Sequence, residues 1–183
     1  MPERTLIVGG ARSGKSRLAE NLVAAAPLVS YVAPGYLPGD DADWAARVAA
    51  HQARRPATWR TIETTDVADV LAGADEHAVI LIDCLGTWLT RALDAAGAWS
   101  QADGWQDRLD AETDRLVAVW AACPATVVAV SNEVGLGVVP ATPASRLFRD
   151  LLGRLNQQIG TSADRLYLVV AGRALDLSAA IAI

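Results

Sequence analysis

The chain has 183 residues, of which 52% are hydrophobic, and a formal net charge of -5. This length fits one domain with a full core. The acidic balance argues against nucleic acid as a partner, because phosphate-backbone binding depends on clustered Lys and Arg. No apolar run approaches the ~18 residues of a membrane span, and the start MPERTLIVGG is not typical of a signal peptide. We therefore expect a cytoplasmic protein with no membrane span, and reduced thiols at Cys84 and Cys123.

Short apolar runs typical of buried strands alternate with helical patterns along the chain. The predicted strands are residues 5–8, 28–33, 59–63, 78–83, 125–131 and 166–171. The predicted helices are residues 17–25, 41–54, 87–96, 102–122 and 143–162. Such alternation is typical of βαβ units, so we predict a single α/β domain over residues 1–183, with a mostly parallel central sheet flanked by helices.

Two details refine this prediction. Within residues 102–122, Leu109, Leu116 and Trp120 recur at helical spacing, which predicts the face of that helix that packs on the core. The Pro/Gly-rich stretch 34–39 is predicted to be a mobile loop rather than a domain boundary.

A glycine-rich motif follows the first predicted strand and opens the first helix. Residues 9–16, GGARSGKS, match G-x-x-x-x-G-K-[ST] in the context that a phosphate-binding loop requires. Backbone N–H groups of such a loop wrap a phosphate, and the helix N-terminus adds partial positive charge. Lys15 is predicted to reach the β- and γ-phosphates of a purine nucleoside triphosphate, and Ser16 to bind Mg²⁺. We therefore predict a P-loop enzyme that transfers a phosphoryl group.

Acidic residues near strand ends are candidates for the metal side of this site. Asp83 closes the buried run AVILID and fits a second Mg²⁺ ligand, although an Asp can also simply begin a turn. Glu63 lies near another strand end and is as consistent with a surface carboxylate as with a ligand.

His51, one of two histidines, lies in a basic helical segment. On a helix, Arg47, His51 and Arg55 are spaced at i, i+4 and i+8 and share one face. A neutral imidazole can attack phosphorus while neighbouring guanidinium groups bind polyphosphate. The alternative is a solvated basic face on which His51 is incidental. His77 precedes a strand and is predicted to be a loop residue.

Four segments together resemble the bifunctional adenosylcobinamide kinase / adenosylcobinamide-phosphate guanylyltransferase family of cobalamin biosynthesis. They are GGARSGKS at 9–16, ARVAAHQARRPATWRTIE at 46–63, LIDCLGTWLT at 81–90 and SNEVGLGVVP at 131–140. Their order and spacing agree with the family over nearly the whole chain. The first motif is generic, whereas the second and fourth are specific.

The resemblance implies two reactions at one P-loop. ATP or GTP phosphorylates the aminopropanol hydroxyl of adenosylcobinamide. GTP then guanylylates a histidine, and the GMP passes to adenosylcobinamide phosphate to give adenosylcobinamide-GDP. The family's guanylylated histidine matches His51, and Lys15 is the second catalytic candidate. The nucleotide-binding positions implied are Gly9, Gly10, Ala11, Arg12, Ser13, Gly14, Lys15, Ser16, Ala33, Pro34, Gly35, Gln52, Ala53, Arg54, Arg55, Glu63 and Asp83.

Two positions depart from the family pattern, and the roles of Asn132 and Glu133 in the NEVG segment stay open. Family members can carry a second histidine where this chain has Ala50, and Glu where it has Asp83. Asn132 and Glu133 follow a buried strand, where ligands gather in open α/β sheets. They could orient the acceptor or the metal, or instead be a turn-stabilising Asn and an exposed Glu.

These inferences favour a RecA-like P-loop NTPase fold with both activities, and the resemblance implies a homo-trimer. Three alternatives remain open from sequence. One is a guanylyltransferase without the kinase step. Another is a P-loop small-molecule kinase in which His51 is incidental. The third is a RecA-type nucleotide switch or DNA-associated ATPase, which the acidity disfavours.

Overall fold

A seven-stranded sheet forms the centre of the protein. The computed structural model describes residues 2–35 and 41–181, apart from the side chains of Trp44 and Arg47. The strands are β1 (Arg4–Gly9), β2 (Ser30–Ala33), β3 (Arg60–Glu63), β4 (Val79–Asp83), β5 (Thr126–Asn132), β6 (Arg165–Val170) and β7 (Arg173–Asp176). The helices are α1 (Lys15–Val23), α2 (Ala42–Arg54), α3 (Val67–Ala72), α4 (Leu85–Ala96), α5 (Trp105–Ala122) and α6 (Pro143–Thr161), with a short 3₁₀ helix at Ala98–Ser100.

The strand order is β3-β2-β4-β5-β1-β6-β7. Every neighbouring pair is parallel except the antiparallel pair β6 and β7. Strand β5 therefore lies between β1, which leads into the glycine-rich loop, and β4, which ends at Asp83. A strand inserted between these two is the order expected of a RecA-like P-loop fold, so the predicted fold class is confirmed.

Helices cover both faces of the sheet, which explains why its strands are continuous apolar runs. Leu6 of β1 belongs to the larger core, under α3, α4, α5 and α6, while the next residue, Ile7, belongs to the smaller core, beside α1. The α5 residues Leu109, Leu116 and Trp120 are buried in the larger core, as their spacing predicts.

The remaining differences from the sequence predictions lie at short or exposed elements. Helix α3 has only six residues and β7 is an exposed edge strand, so neither has a usable periodicity. Helix α5 begins at Trp105 rather than residue 102, because Gly104 precedes it with a φ of 70°. Of the loop predicted at 34–39, residues 36–39 lie outside the described part.

Local signals fix the entry to α6, which follows the long loop after β5. The Thr142 side chain accepts a hydrogen bond from the Ser145 N–H at 3.1 Å, and Pro143 occupies the first turn. A capping hydroxyl followed by proline is a strong helix start.

Among residues 2–35 and 41–181, no helix is both long and apolar enough to cross a membrane.

Candidate active site

Five parallel strands bring their carboxyl ends to one edge of the sheet. The strands β1 to β5 end at Gly9, Ala33, Glu63, Asp83 and Asn132. Gly9 lies opposite Asn132 in the ladder, and Ala33 lies opposite Glu63. Ligands of open α/β sheets bind in the crevice outside this edge. The five strand ends therefore lie around one crevice.

The glycine-rich loop holds Lys15 against its own backbone. The Lys15 side chain is nearly buried, and its Nζ donates a hydrogen bond to the Gly10 carbonyl oxygen at 3.1 Å. Gly14 precedes α1 with a φ of 103°, a conformation that side chains rarely adopt. The lysine charge and the N-terminus of α1 thus both belong to this loop, and both favour a bound phosphate.

The turn between β6 and β7 packs on this loop, which the sequence did not indicate. The Gly172 N–H donates to the Ser13 carbonyl oxygen at 2.8 Å. A Cβ on Gly9 would lie 2.6 Å from the Val169 carbonyl oxygen and 2.7 Å from Ser13 Oγ. Gly9 is therefore required by close packing between β1 and β6, and the loop is supported from the side away from α2.

His51 and Asp83 form a pair across the crevice. The His51 Nδ1 atom, on α2, lies 3.4 Å from Oδ2 of Asp83, at the end of β4. The Asp83 side chain is 7% exposed and that of His51 is 35% exposed. A buried carboxylate beside Nδ1 favours the tautomer with the proton on Nδ1, which leaves the Nε2 lone pair available. This arrangement suits a nucleophilic imidazole.

Tyr31, on β2, completes the surroundings of Asp83. Its hydroxyl donates a hydrogen bond to Asp83 Oδ2 at 2.8 Å. Burial, together with the nearby Asp83 charge, raises the pKa of Tyr31, so the hydroxyl stays protonated. Burial by itself raises the pKa of Asp83, but hydrogen bonds and charge from His51, with hydrogen bonds from Tyr31 and Ser16, lower the pKa below its usual value. Asp83 is therefore a carboxylate at neutral pH.

The end of α2 is fixed by two arginine contacts. Arg54 donates to both carboxylate oxygens of Glu20 on α1, at 3.0 and 3.1 Å. Arg55 lies past the end of α2, and its guanidinium carbon is 3.4 Å from the ring centroid of Tyr31. The predicted helical face of Arg47, His51 and Arg55 therefore needs correction at Arg55, because the helix ends one residue earlier. The Arg47 side chain lies outside the described part.

A cleft of about 770 Å³ joins these groups, a volume typical of small-molecule sites. The sequence-predicted residues that line it are Ala11, Arg12, Ser13, Gly14, Lys15, Ser16, Ala33, Gly35, His51, Gln52, Arg54, Arg55, Glu63 and Asp83. Four other predicted residues do not line it, namely Gly9, Gly10, Pro34 and Ala53. The sequence thus assembles one cleft from segments that are far apart along the chain.

Several lining residues carried no clear sequence signal. Tyr31 and Thr87 lie within apolar runs, and Val134 follows the last residues of β5. Asn132 lines the cleft, and a Cβ on Gly86 would lie 2.9 Å from its Nδ2 atom, so the glycine makes room for the amide. Glu133 does not line it; its Oε1 instead accepts from the Gly135 N–H at 2.5 Å.

The donor set next to Lys15 can accommodate a hard divalent cation. Ser16 and Asp83 both line the cleft, and the Ser16 hydroxyl is close enough to lower the pKa of Asp83, so a hydroxyl and a carboxylate face the same space. In the described part of the chain, no group of three or more His, Cys, Asp or Glu could hold a metal. Mg²⁺ needs no such cage, since it is held by one or two protein oxygens together with nucleotide phosphates and water.

This fold and cleft define a RecA-like P-loop nucleotide-binding protein with a histidine–carboxylate pair beside the loop. Residues 5–177 match the family model described as cobinamide kinase / cobinamide phosphate guanyltransferase. The chain belongs to this family.

Curated relatives agree with the family match. The chain is 42% identical over 174 residues to the bifunctional adenosylcobalamin biosynthesis protein CobU of Salmonella typhimurium, covering 91% of this chain and 95% of that protein. It is 42% identical over 177 residues to the bifunctional adenosylcobalamin biosynthesis protein CobP of Pseudomonas aeruginosa, covering 95% of this chain and 96% of that protein. Among solved structures, the P4 protein of bacteriophage phi6 with ADP aligns with 94% of this chain and 54% of its own, at 18% identity and a TM-score of 0.44.

Proposed function

We propose that this chain is a bifunctional enzyme of cobalamin biosynthesis. It phosphorylates the aminopropanol hydroxyl of adenosylcobinamide with ATP or GTP. It then transfers GMP from GTP, by way of His51, to adenosylcobinamide phosphate and yields adenosylcobinamide-GDP. The observation that carries this proposal is the pair of His51 and Asp83 in the same cleft as the P-loop. The family membership and the curated relatives support it.

In the kinase step, the loop residues 9–16 and Lys15 bind the polyphosphate and oppose the charge that develops on the transferred group. The acceptor hydroxyl attacks the γ-phosphorus and loses its proton to water. The bond from that phosphorus to the bridging oxygen breaks, and the nucleoside diphosphate leaves. Such catalysis depends mainly on positioning and electrostatic stabilisation. A cleft that gathers Lys15 and the N-terminus of α1 supplies both.

In the guanylyl step, His51 Nε2 attacks the α-phosphorus of GTP and pyrophosphate leaves. The imidazole becomes cationic as the N–P bond forms, and the Asp83 carboxylate beside Nδ1 opposes that charge. A phosphate oxygen of adenosylcobinamide phosphate then attacks the same phosphorus. The N–P bond breaks, the electron pair returns to Nε2, and His51 is regenerated in its neutral form.

Mg²⁺ would be held by Ser16 and Asp83, the adjacent hydroxyl and carboxylate, together with nucleotide phosphates. Bound there, it would neutralise phosphate charge and so assist departure of the leaving group. The remaining cleft residues Ala33, Gly35, Gln52, Arg54, Arg55 and Glu63 are proposed to contact the nucleotide. The enzyme is proposed to act in the cytoplasm as a homo-trimer.

The proposal is tested by supplying cobinamide and GTP labelled with ³²P in the γ-position, then GTP labelled in the α-position. The first label should appear in a cobinamide monophosphate, and the second in a cobinamide–GDP product. Transfer of the γ-label alone would reduce the function to a kinase. Transfer of neither label by protein that binds GTP would refute the proposed function.

A further inference from the structure

A second groove opens beside the nucleotide cleft. It has a volume of about 420 Å³ and is lined by apolar side chains that include Trp99, Val134, Pro140 and Phe148. The hydroxyl-bearing residues Thr90 and Ser145 also line the groove. Val134 lines this groove and the nucleotide cleft as well, so the two cavities are neighbours that share one side chain.

The loop of residues 133–141, between β5 and α6, exposes an unusual amount of apolar surface. Leu136 is 85% exposed, Val138 93% and Val139 67%. Large apolar side chains exposed together on one loop are a common feature of binding surfaces. The C-terminal end of the loop is held in place, because Arg146 Nη1 donates to the carbonyl oxygens of Pro140 and Ala141 at 2.8 and 2.9 Å.

We infer that this groove, with the 133–141 loop, binds the corrin ring of the acceptor; this inference rests on the proposed function. In both reactions the acceptor must reach phosphorus in the nucleotide cleft while its macrocycle stays outside. A groove that adjoins the cleft at Val134 provides that position. The ring is larger than the groove, so one edge enters it and the remainder lies on the exposed loop.

The chemistry of the groove matches a corrin ring better than it matches an anion. A corrin carries methyl groups and uncharged amide arms around a flat, largely apolar macrocycle. The groove offers apolar walls with the hydroxyls of Thr90 and Ser145 as hydrogen-bonding groups. Its charged lining residue, Arg149, is paired with Asp150 at 2.9 Å, so its positive charge is locally compensated. Apolar walls with a few polar groups are the usual composition of small-molecule sites.

A second copy of this chain is the competing occupant of the same surface. A subunit seated in the groove would close the side of the nucleotide cleft that Val134 borders. The acceptor would then lose the route that both reactions need. The position of the groove directly beside the cleft therefore favours the corrinoid over a subunit contact.

The test compares two alanine-to-arginine variants. Ala144 is exposed on the first turn of α6 and lines the groove, whereas Ala118 is exposed on α5 and lines neither this groove nor the nucleotide cleft. Ala144→Arg should raise the Kd for cobinamide in equilibrium dialysis, and the KM for cobinamide in the kinase reaction, by about tenfold or more. Guanylylation of His51 by GTP without acceptor should keep its rate, and Ala118→Arg should match the native chain in every measurement.

The outcomes separate the inference from the function on which it rests. If the native chain phosphorylates cobinamide and Ala144→Arg leaves both the Kd and the KM unchanged, the groove is not the corrinoid site. If Ala144→Arg instead dissociates an assembly that the native chain forms in analytical ultracentrifugation, the surface is a subunit contact and the inference is overturned. If the native chain does not phosphorylate cobinamide, the proposed function itself fails.

Discussion

The Nδ1 atom of His51 lies 3.4 Å from the Asp83 carboxylate, and the same carboxylate oxygen accepts a hydrogen bond from Tyr31 at 2.8 Å. One buried acid thus links α2 to the sheet. Ser16, in the phosphate-binding loop, also lowers the pKa of Asp83, so the histidine and the loop both act on a single carboxylate. This relationship explains how the proposed nucleophile, on a separate helix, is oriented beside the proposed nucleotide site.

The substitution Asp83→Asn should slow the guanylyl step strongly while the protein stays folded. The amide cannot oppose the positive charge that forms on His51, so the initial rate of histidine labelling by α-³²P-GTP should fall about 100-fold or more. Asp83→Glu should retain more of the rate, since it keeps the carboxylate. A labelling rate for Asp83→Asn within a factor of about two of the native chain would remove Asp83 from the mechanism.

Two glycines of the same loop should respond differently to an added methyl group. Gly9→Ala forces a Cβ to within 2.6 Å of the Val169 carbonyl oxygen, so the free energy of unfolding should fall by about 1–3 kcal/mol. The Cβ that Gly10→Ala adds has no atom within 4 Å, so this substitution should change the free energy of unfolding by less than about 0.5 kcal/mol. Urea unfolding of both variants measures the difference, and equal loss would mean that packing against β6 does not explain Gly9.

Asn132 should be needed in the kinase step more than in the guanylyl step. Its backbone carbonyl is held by Asn156 at 3.1 Å, and its amide enters the space that Gly86 leaves open beside the cleft. Val134, two residues further on, borders the groove proposed for the acceptor, so this amide is expected to contact the acceptor, which takes no part in the labelling of His51 by GTP alone. Asn132→Ala should lower kcat for γ-phosphoryl transfer by about 100-fold. Labelling of His51 should fall far less, and equal loss in both assays would contradict this role.

A pH-dependent contribution to stability should come from Asp164 and Arg4. Three hydrogen bonds from Arg4, at 2.8, 3.2 and 3.3 Å, join the starts of β1 and β6 and lower the pKa of Asp164. A folded-state pKa below the unfolded value stabilises the protein above the unfolded pKa, near ~3.9, and this contribution is lost as the pH falls through the folded pKa.

Asp164→Asn should therefore lower the free energy of unfolding by about 1 kcal/mol or less at neutral pH, because the pair is partly exposed. The difference from the native chain should shrink toward zero as the pH falls below about 4. Urea midpoints across this pH range give the measurement, and a difference that grows at low pH would contradict the assignment.

Local features of the site were predictable from sequence, whereas its long-range contacts were not. The phosphate loop is set by eight consecutive residues, and Asp83 by the end of one apolar run. The position of His51 depends on where α2 lies. That placement rests on Arg54 with Glu20, and on the Asp83 carboxylate that Tyr31 also holds. In the run LVSYVA, Tyr31 is indistinguishable from an ordinary core residue. The contact between its hydroxyl and Asp83 depends on the pairing of β2 with β4, which the sequence does not show.

The most direct test of the central claim is covalent trapping of GMP on His51. The native chain, His51→Ala and the control His77→Ala, whose imidazole is 87% exposed, would be incubated with α-³²P-GTP and Mg²⁺ and separated by denaturing electrophoresis. We expect an acid-labile, alkali-stable label on the native chain and on His77→Ala, and none on His51→Ala. An unlabelled native chain that binds GTP, or an undiminished label on His51→Ala, would contradict His51 as the nucleophile.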